Sequence, residues 1–338
     1  MGEEYSDRIY GAARMTGIEW TDNVCVTNQA CIKDFEFFLI SVQTGLLEPV
    51  DGFFGLARKH PYYLAEEAKV TRGPSYMHAL EKAGLISENT FSFYMANFEQ
   101  ESFLDFGKPK EDRMRDPDEL RWIDLHKDFF WSAMCQGVAI GSFEHAWGWG
   151  SIAGHETMVV NNEIYSMFDS GASAIVFPQF YFPQFLEKLF EQVSGKDYEL
   201  GNGYVLTKCY DDFPTVYFMF DEHWIGVYPD EYVVDVSQNQ DRSMCVLLFS
   251  QGEHAFMVMG VPLYQDYYTI HDEAGNRMGF VPHATSDKPG LAKGTVPVDV
   301  IATGLAPKKP ISLQARLITW SLILVFIVGW IFAIYYVY

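Results

Sequence analysis

Cysteine is scarce, with five in 338 residues. That number does not define the disulfide framework of a small secreted scaffold. Basic residues are also in short supply: 24 Lys and Arg stand against 45 Asp and Glu, for a net charge of −21. A surface of that sign opposes counterion release, the term that dominates nucleic-acid binding, so nucleic acid is excluded as a partner. The N-terminus, Met-Gly-Glu-Glu-Tyr-Ser-Asp-Arg, lacks the basic start and apolar run of a secretory leader. Metal-ligand spacing is missing too. His145 and His155, with Glu144 and Glu156, flank Trp147-Gly148-Trp149-Gly150, but no pair has helical zinc spacing, so this stretch reads as a flexible aromatic loop. No metal and no cofactor is predicted. Asp105-Phe106-Gly107 has neither a Gly-rich loop nor a catalytic loop to make it a kinase motif. From Leu317 to Tyr338 charge is absent altogether.

That last absence predicts a membrane span. About twenty apolar residues cross a bilayer core as a helix, and Trp320, Tyr335, Tyr336 and Tyr338 suit its interfaces. Lys308, Lys309 and Arg316 precede the run and no basic residue follows it, which places the bulk of the chain on the cytoplasmic or matrix side. The expectation is a tail-anchored integral membrane protein of the endoplasmic reticulum or the mitochondrial inner membrane. Its cysteines would then be mostly thiols.

Aromatics are abundant, with 27 Phe, 20 Tyr and 8 Trp, which favours strands over a helical bundle. Residues 8 to 60 alternate apolar and polar in short runs around Gly17, Asp22 and Phe35, the period of half-buried strands joined by tight turns. Pro74 to Ala83 reads as a short helix stopped by Gly84. Lys108 to Glu119 is a charged loop, followed by strand-like sequence from Leu120 to Ile140. Phe182 to Val193 is a helix with Pro183 in its first turn and Phe185, Leu186, Leu189, Phe190 and Val193 on one face. Thr285 to Pro310, rich in Pro, Gly and Lys, reads as a linker to the membrane.

The chemistry centres on Met167-Phe-Asp-Ser-Gly-Ala-Ser-Ala-Ile-Val-Phe177. Asp169 would be lifted from a buried strand on a tight turn that Gly171 closes and the Ser170 hydroxyl holds. Four segments in order then carry a resemblance. Val50-Asp-Gly-Phe-Phe-Gly-Leu resembles Phe-Asp-Gly-Ile-Leu-Gly-Leu, and Gly84-Leu-Ile…Phe-Ser-Phe-Tyr-Met resembles Gly-Leu-Ile…Phe-Ser-Phe-Tyr-Leu. Phe168-Asp-Ser-Gly-Ala-Ser resembles a second catalytic loop. Met257-Val-Met-Gly-Val-Pro-Leu-Tyr-Gln-Asp-Tyr-Tyr-Thr-Ile-His-Asp resembles Ile-Leu-Gly-Asp-X-Phe-X-Arg-X-Tyr-Tyr-Thr-Val-Phe-Asp. The chain is identified as similar to the pepsin-like aspartic peptidases.

The resemblance implies a mainly β, bilobal fold, here with an incomplete first lobe over 1–107, a second lobe over 108–284, a linker over 285–312 and a transmembrane helix over 313–338. It implies Asp169, Ser170 and Gly171 as the second catalytic loop, Tyr10 and Gly11 as the flap, and a disulfide between Cys209 and Cys245. Ala172 stands where the family carries Thr or Ser.

The family's chemistry needs two carboxylates sharing a proton, yet Asp-Ser-Gly occurs once here and Asp-Thr-Gly nowhere. Asp169 precedes Gly260 by 91 positions, and the same interval from Gly55 falls before Met1. One carboxylate cannot act as base and acid at once. The expectation is a membrane-anchored, catalytically inactive homologue serving as an accessory subunit, with other protein subunits covering the incomplete first lobe. The alternative is an active membrane-bound endopeptidase whose first aspartate comes from another chain or a missing N-terminal region. A third reading is a peptide-binding module that does not cut.

Overall fold

A computed structural model describes residues 5–10, 13–27, 30–45, 51–58, 75–96, 101–126, 130–152, 157–201, 203–238 and 241–301. The chain divides into two units. The first takes Met1–Tyr94, Ser102–Trp131 and Tyr268–Thr285, and the second Met95–Glu101, Ser132–Tyr267 and Ser286–Tyr338. The sequence-based boundary at residue 107 therefore falls inside the first unit, which also receives residues 108–131 and 268–285. Strands predominate, as the aromatic composition predicts.

In the first unit a three-stranded antiparallel sheet is built from Ser6–Tyr10, Ala13–Thr27 and Ala30–Thr44. Gly17 and Asp22, expected on separate short strands, lie on one fifteen-residue strand. Bulges after Thr16 and Asp22 absorb the irregular alternation that imitates strand ends in the sequence. The helix Tyr76–Lys82 ends as expected at Gly84, whose φ of +69° is a left-handed cap. Leu85 N–H donates to Leu80 carbonyl at 3.0 Å to close it.

A five-stranded sheet orders Phe103–Phe106, Thr90–Tyr94, Tyr267–Asp272, Arg277–Pro282 and Arg121–Asp124. His271 is buried in its core, stacked on Phe91 at 4.3 Å and Phe93 at 5.1 Å, with Trp131 edge-on at 4.8 Å. Asp105 is a buried carboxylate that accepts from Lys110 Nζ and, at 3.3 Å, from Tyr268 hydroxyl.

The second unit is a fourteen-stranded sheet. Its centre is aromatic: Phe177 stacks on Phe185 at 4.3 Å and lies within 6.2 Å of Trp149, Phe182, Phe218 and Phe249. Each such ring removed from water contributes about 1.5–3 kcal/mol. The helix Phe182–Glu191 supplies two of these rings from the face expected for it, and Pro183 sits in its first turn.

Two expectations fail in this unit. The aromatic loop is a strand, Ser142–Trp149, folded back on Ser132–Ile140 through Gly141 at φ +69°. Glycine spacing that reads as flexibility instead serves close packing: a Cβ on Gly148 would lie 3.0 Å from the carbonyl oxygen of Asn162. The residues expected as a free linker also belong to this unit as far as Ile301. Ala292–Lys293 pairs with His223 and Trp224, and Val300–Ile301 pairs in parallel with Gly148 and Trp149. Between Thr285 and the first of these pairs, Lys288 is 4% exposed and forms an ion pair with Glu231, itself 3% exposed.

Among the described residues no helix is long and apolar enough to cross a membrane. The expected span over 313–338 lies outside them.

Candidate active site

Asp169 stands where the buried strand Glu163–Phe168 ends. That strand pairs antiparallel with Ser132–Ile140 on one side and parallel with Met257–Met259 on the other. Phe168 anchors its end against Phe220, ring centroids 5.0 Å apart. The chain then turns and runs back as Ile175–Pro178, so that Met257–Met259 lies between the two arms of the Asp169 loop.

Backbone bonds lock the loop to this middle strand. Asp169 N–H donates to Met259 carbonyl at 3.0 Å, and Val261 N–H donates to Ala172 carbonyl at 2.8 Å. Within the loop, Ala172 N–H donates to Asp169 carbonyl at 3.2 Å and Gly171 N–H to Asp169 Oδ1 at 2.9 Å.

The device that closes the turn differs from the sequence-based expectation. Gly171 is absent from the glycines at positive φ, and Ser170 is exposed. The Asp169 carboxylate itself accepts the backbone bond, as short acidic side chains do in turns. The half-buried carboxylate keeps its second oxygen for other work.

The glycine that the site requires is Gly260. A Cβ there would lie inside van der Waals contact with the carbonyl oxygens of both Ala172 and Ala174. Backbone on both sides cannot yield as a flexible side chain would. Gly260→Ala should therefore cost about 1–3 kcal/mol through overpacking and displace the Asp169 loop. Chemical denaturation of the purified chain measures it, and an unchanged midpoint would show that the loop is not pinned here.

Tyr264 is a site residue that the sequence reading missed. It ends the short helix Val261–Tyr264, begun by Gly260 and Pro262, and is 1% exposed. Burial and the nearby Asp169 charge raise its phenol well above the usual range, so it stays protonated beside the carboxylate. The signal was the Pro262 that starts a helix immediately after Gly260, with Tyr264 at its end.

Tyr10 belongs to the first unit and forms the last pair of a hairpin with Ala13, while Gly11 lies outside the described residues. Cys209 and Cys245 are joined by a disulfide with Cα atoms 5.1 Å apart. A second disulfide joins Cys25 and Cys31, leaving Cys135 as the one free, buried thiol. The expectation of mostly thiols is thus corrected: the ladder sets Cys25 directly opposite Cys31, which the sequence spacing did not reveal. Among the described residues, the only grouping of three metal-ligating types is Cys209, Asp235 and Cys245, and its two sulfurs are bonded to each other. His145 is exposed, and His155 and Glu156 lie outside the described residues.

The family model described as eukaryotic aspartyl protease matches residues 2–283. Mouse (Mus musculus) gastricsin is 22% identical over 284 residues, covering 81% of this chain and 65% of its own length. Human (Homo sapiens) gastricsin is 23% identical over 286 residues, covering 81% and 66%. Rabbit (Oryctolagus cuniculus) pepsin II-1 is 23% identical over 281 residues, covering 81% and 65%. The chain spans slightly less than two thirds of the length of these curated relatives.

Proposed function

Because the chain belongs to the eukaryotic aspartyl protease family, we propose that it carries the Asp169 half of an aspartic-peptidase dyad and that these 338 residues do not by themselves hydrolyse peptide bonds. The observation that carries this reading is the single Asp-Ser-Gly loop in a chain with no Asp-Thr-Gly. Peptide hydrolysis of this kind needs an ionised carboxylate to activate water and a protonated one to polarise the scissile carbonyl. Asp169 fills one role at a time.

In this reading the chain is a structural or interaction subunit held to a membrane by Leu317–Tyr338, whose uncharged length fits a bilayer. A protein partner lies against the first unit, where Ile9, Val42, Trp20 and Leu39 of the three-stranded sheet are 80%, 61%, 42% and 42% exposed. The two disulfides favour an oxidising lumen for both units. That argument outweighs the basic residues ahead of the span, because a long preceding domain translocates largely regardless of charge.

The intact loop supports one rival. Gly260 and the Met259, Ala172 and Val261 backbone bonds retain what an acting carboxylate would need. In this second reading the chain is a membrane-bound endopeptidase once a second Asp loop is supplied by another chain or by sequence preceding Met1.

One experiment separates the two. The 338-residue chain is expressed in membranes, extracted with carbonate to confirm anchoring, and assayed against an unfolded protein at acidic pH beside Asp169→Asn. No cleavage above background by either is expected. Cleavage by the parent chain that Asp169→Asn abolishes would overturn the non-hydrolytic reading, and carbonate-soluble protein would overturn the anchor.

A further inference from the structure

We propose that the Cys25–Cys31 disulfide is a thiol–disulfide exchange site for small anionic thiols of the glutathione class. The two cysteines face one another directly in the hairpin ladder, and the pairing is irregular on both sides of them, between Asp22 and Val24 and between Cys25 and Thr27. Few ladder bonds therefore guard the bridge. Cys25 is exposed and Cys31 half-buried, whereas in the other bridge Cys209 is half-buried and Cys245 is 2% exposed. Exchange requires access of a thiolate to a sulfur, so the hairpin bridge, through Cys25, offers the most open one.

The surroundings select the reagent. Cys31 lines a cavity of about 710 Å³ together with Lys33, Asp34, Phe35, His78 and Lys82. Lys33 and Lys82 on this wall are matched by Asp34 and by Glu81, which approaches His78 at 3.7 Å, so the wall is charge-balanced in a chain of net charge −21. A thiol bearing carboxylates meets less repulsion there than at the acidic remainder.

The exchange balances without any other reactant. A glutathione thiolate attacks Cys25 Sγ, the S–S bond breaks, and its electron pair leaves on Cys31 Sγ as thiolate. A second glutathione thiolate attacks the mixed disulfide on its glutathione sulfur. Cys25 thiolate departs, both cysteines take protons from solvent, and oxidised glutathione is the product.

The bridge also reports to the fold. Tyr76 hydroxyl donates to Val24 carbonyl at 3.4 Å, and its ring packs on Phe35 at 5.3 Å and Phe54 at 5.0 Å. Opening the hairpin beside Val24 loosens the helix Tyr76–Lys82 that begins with this ring.

The test titrates the oxidised 338-residue chain with reduced glutathione, alkylates the thiols and maps them by mass spectrometry. Cys25 and Cys31 should be labelled before Cys209 and Cys245, with faster hydrogen exchange over 76–82. Joint replacement Lys33→Gln and Lys82→Gln should slow the glutathione reaction about fivefold while changing the rate with neutral 2-mercaptoethanol by less than about twofold. Prior or simultaneous reduction of Cys209–Cys245, or equal responses of the two thiols to charge removal, would overturn the proposal.

Discussion

Lys288→Met should destabilise the second unit by about 3–5 kcal/mol, the usual cost of leaving one member of a buried ion pair behind. Lys288 Nζ pairs with Glu231, donates to Gln265 carbonyl at 2.7 Å, and lies 4.4 Å from the ring centre of Tyr267 and 5.1 Å from that of Tyr228. Glu231 Oε2 in turn accepts from Tyr228 N–H at 2.6 Å. Burial lowers the Lys288 ammonium from its ordinary range and raises the Glu231 carboxyl above its own, their mutual attraction recovering part of each cost. Neither charge is comfortable without the other. The double variant Lys288→Met with Glu231→Leu should therefore recover most of the loss, because an apolar pair of similar volume avoids desolvation altogether. Denaturant unfolding gives the magnitudes, and hydrogen exchange locates the effect in residues 286–301. A loss under about 1 kcal/mol for Lys288→Met would mean that this segment is held by its strand pairings alone.

Acid should weaken the first unit through His271. Packed among Phe91, Phe93 and Trp131, its imidazole is lowered by burial to about 3, and its Nδ1 has no hydrogen-bond partner. The unfolded chain takes up a proton below about pH 6.5, and the folded chain refuses it until about pH 3. Stability is thus unaffected by this group above pH 6.5 and falls as pH drops through the window, by ~5 kcal/mol in all. His271→Phe should remove that slope and leave the neutral-pH stability unchanged or raised, since a ring of similar shape replaces an orphaned polar atom. Urea unfolding of both forms from pH 7 to pH 3.5 measures it, and parallel profiles would refute the assignment. The resembled closing block carries Phe at this position.

Much of this architecture was legible in the sequence because local rules and tertiary packing agreed. Pro183 and the apolar stripe from Phe185 to Val193 specify a helix whichever way it docks, and Gly84 ends another at a left-handed φ. Asp169 and Gly260 were legible as a pair through their order and separation. The misreadings arise where packing overrides composition. Trp147 to Gly150 looks mobile because glycines alternate with large rings, yet a Cβ on Gly148 or Gly150 would meet backbone carbonyls of Asn162 and Ile301 at 3.0 and 3.2 Å. Ser286 to Ile301 looks like a tether because it is polar and proline-rich, and nothing local announces that Lys288 would be buried against a glutamate 57 positions earlier, at Glu231. The Cys25–Cys31 pairing depends on the register of strands, which composition does not encode.

The attachment of residues 286–301 to the second unit changes the scale on which the protein would meet a membrane. A tether beginning at Thr285 and ending at Arg316 could extend to roughly 110 Å, whereas one beginning after Ile301 has fifteen residues and reaches at most ~50 Å. With Leu317–Tyr338 in the bilayer, as proposed, the second unit works within about one protein diameter of the lipid surface, and any polypeptide it meets must be presented at that height.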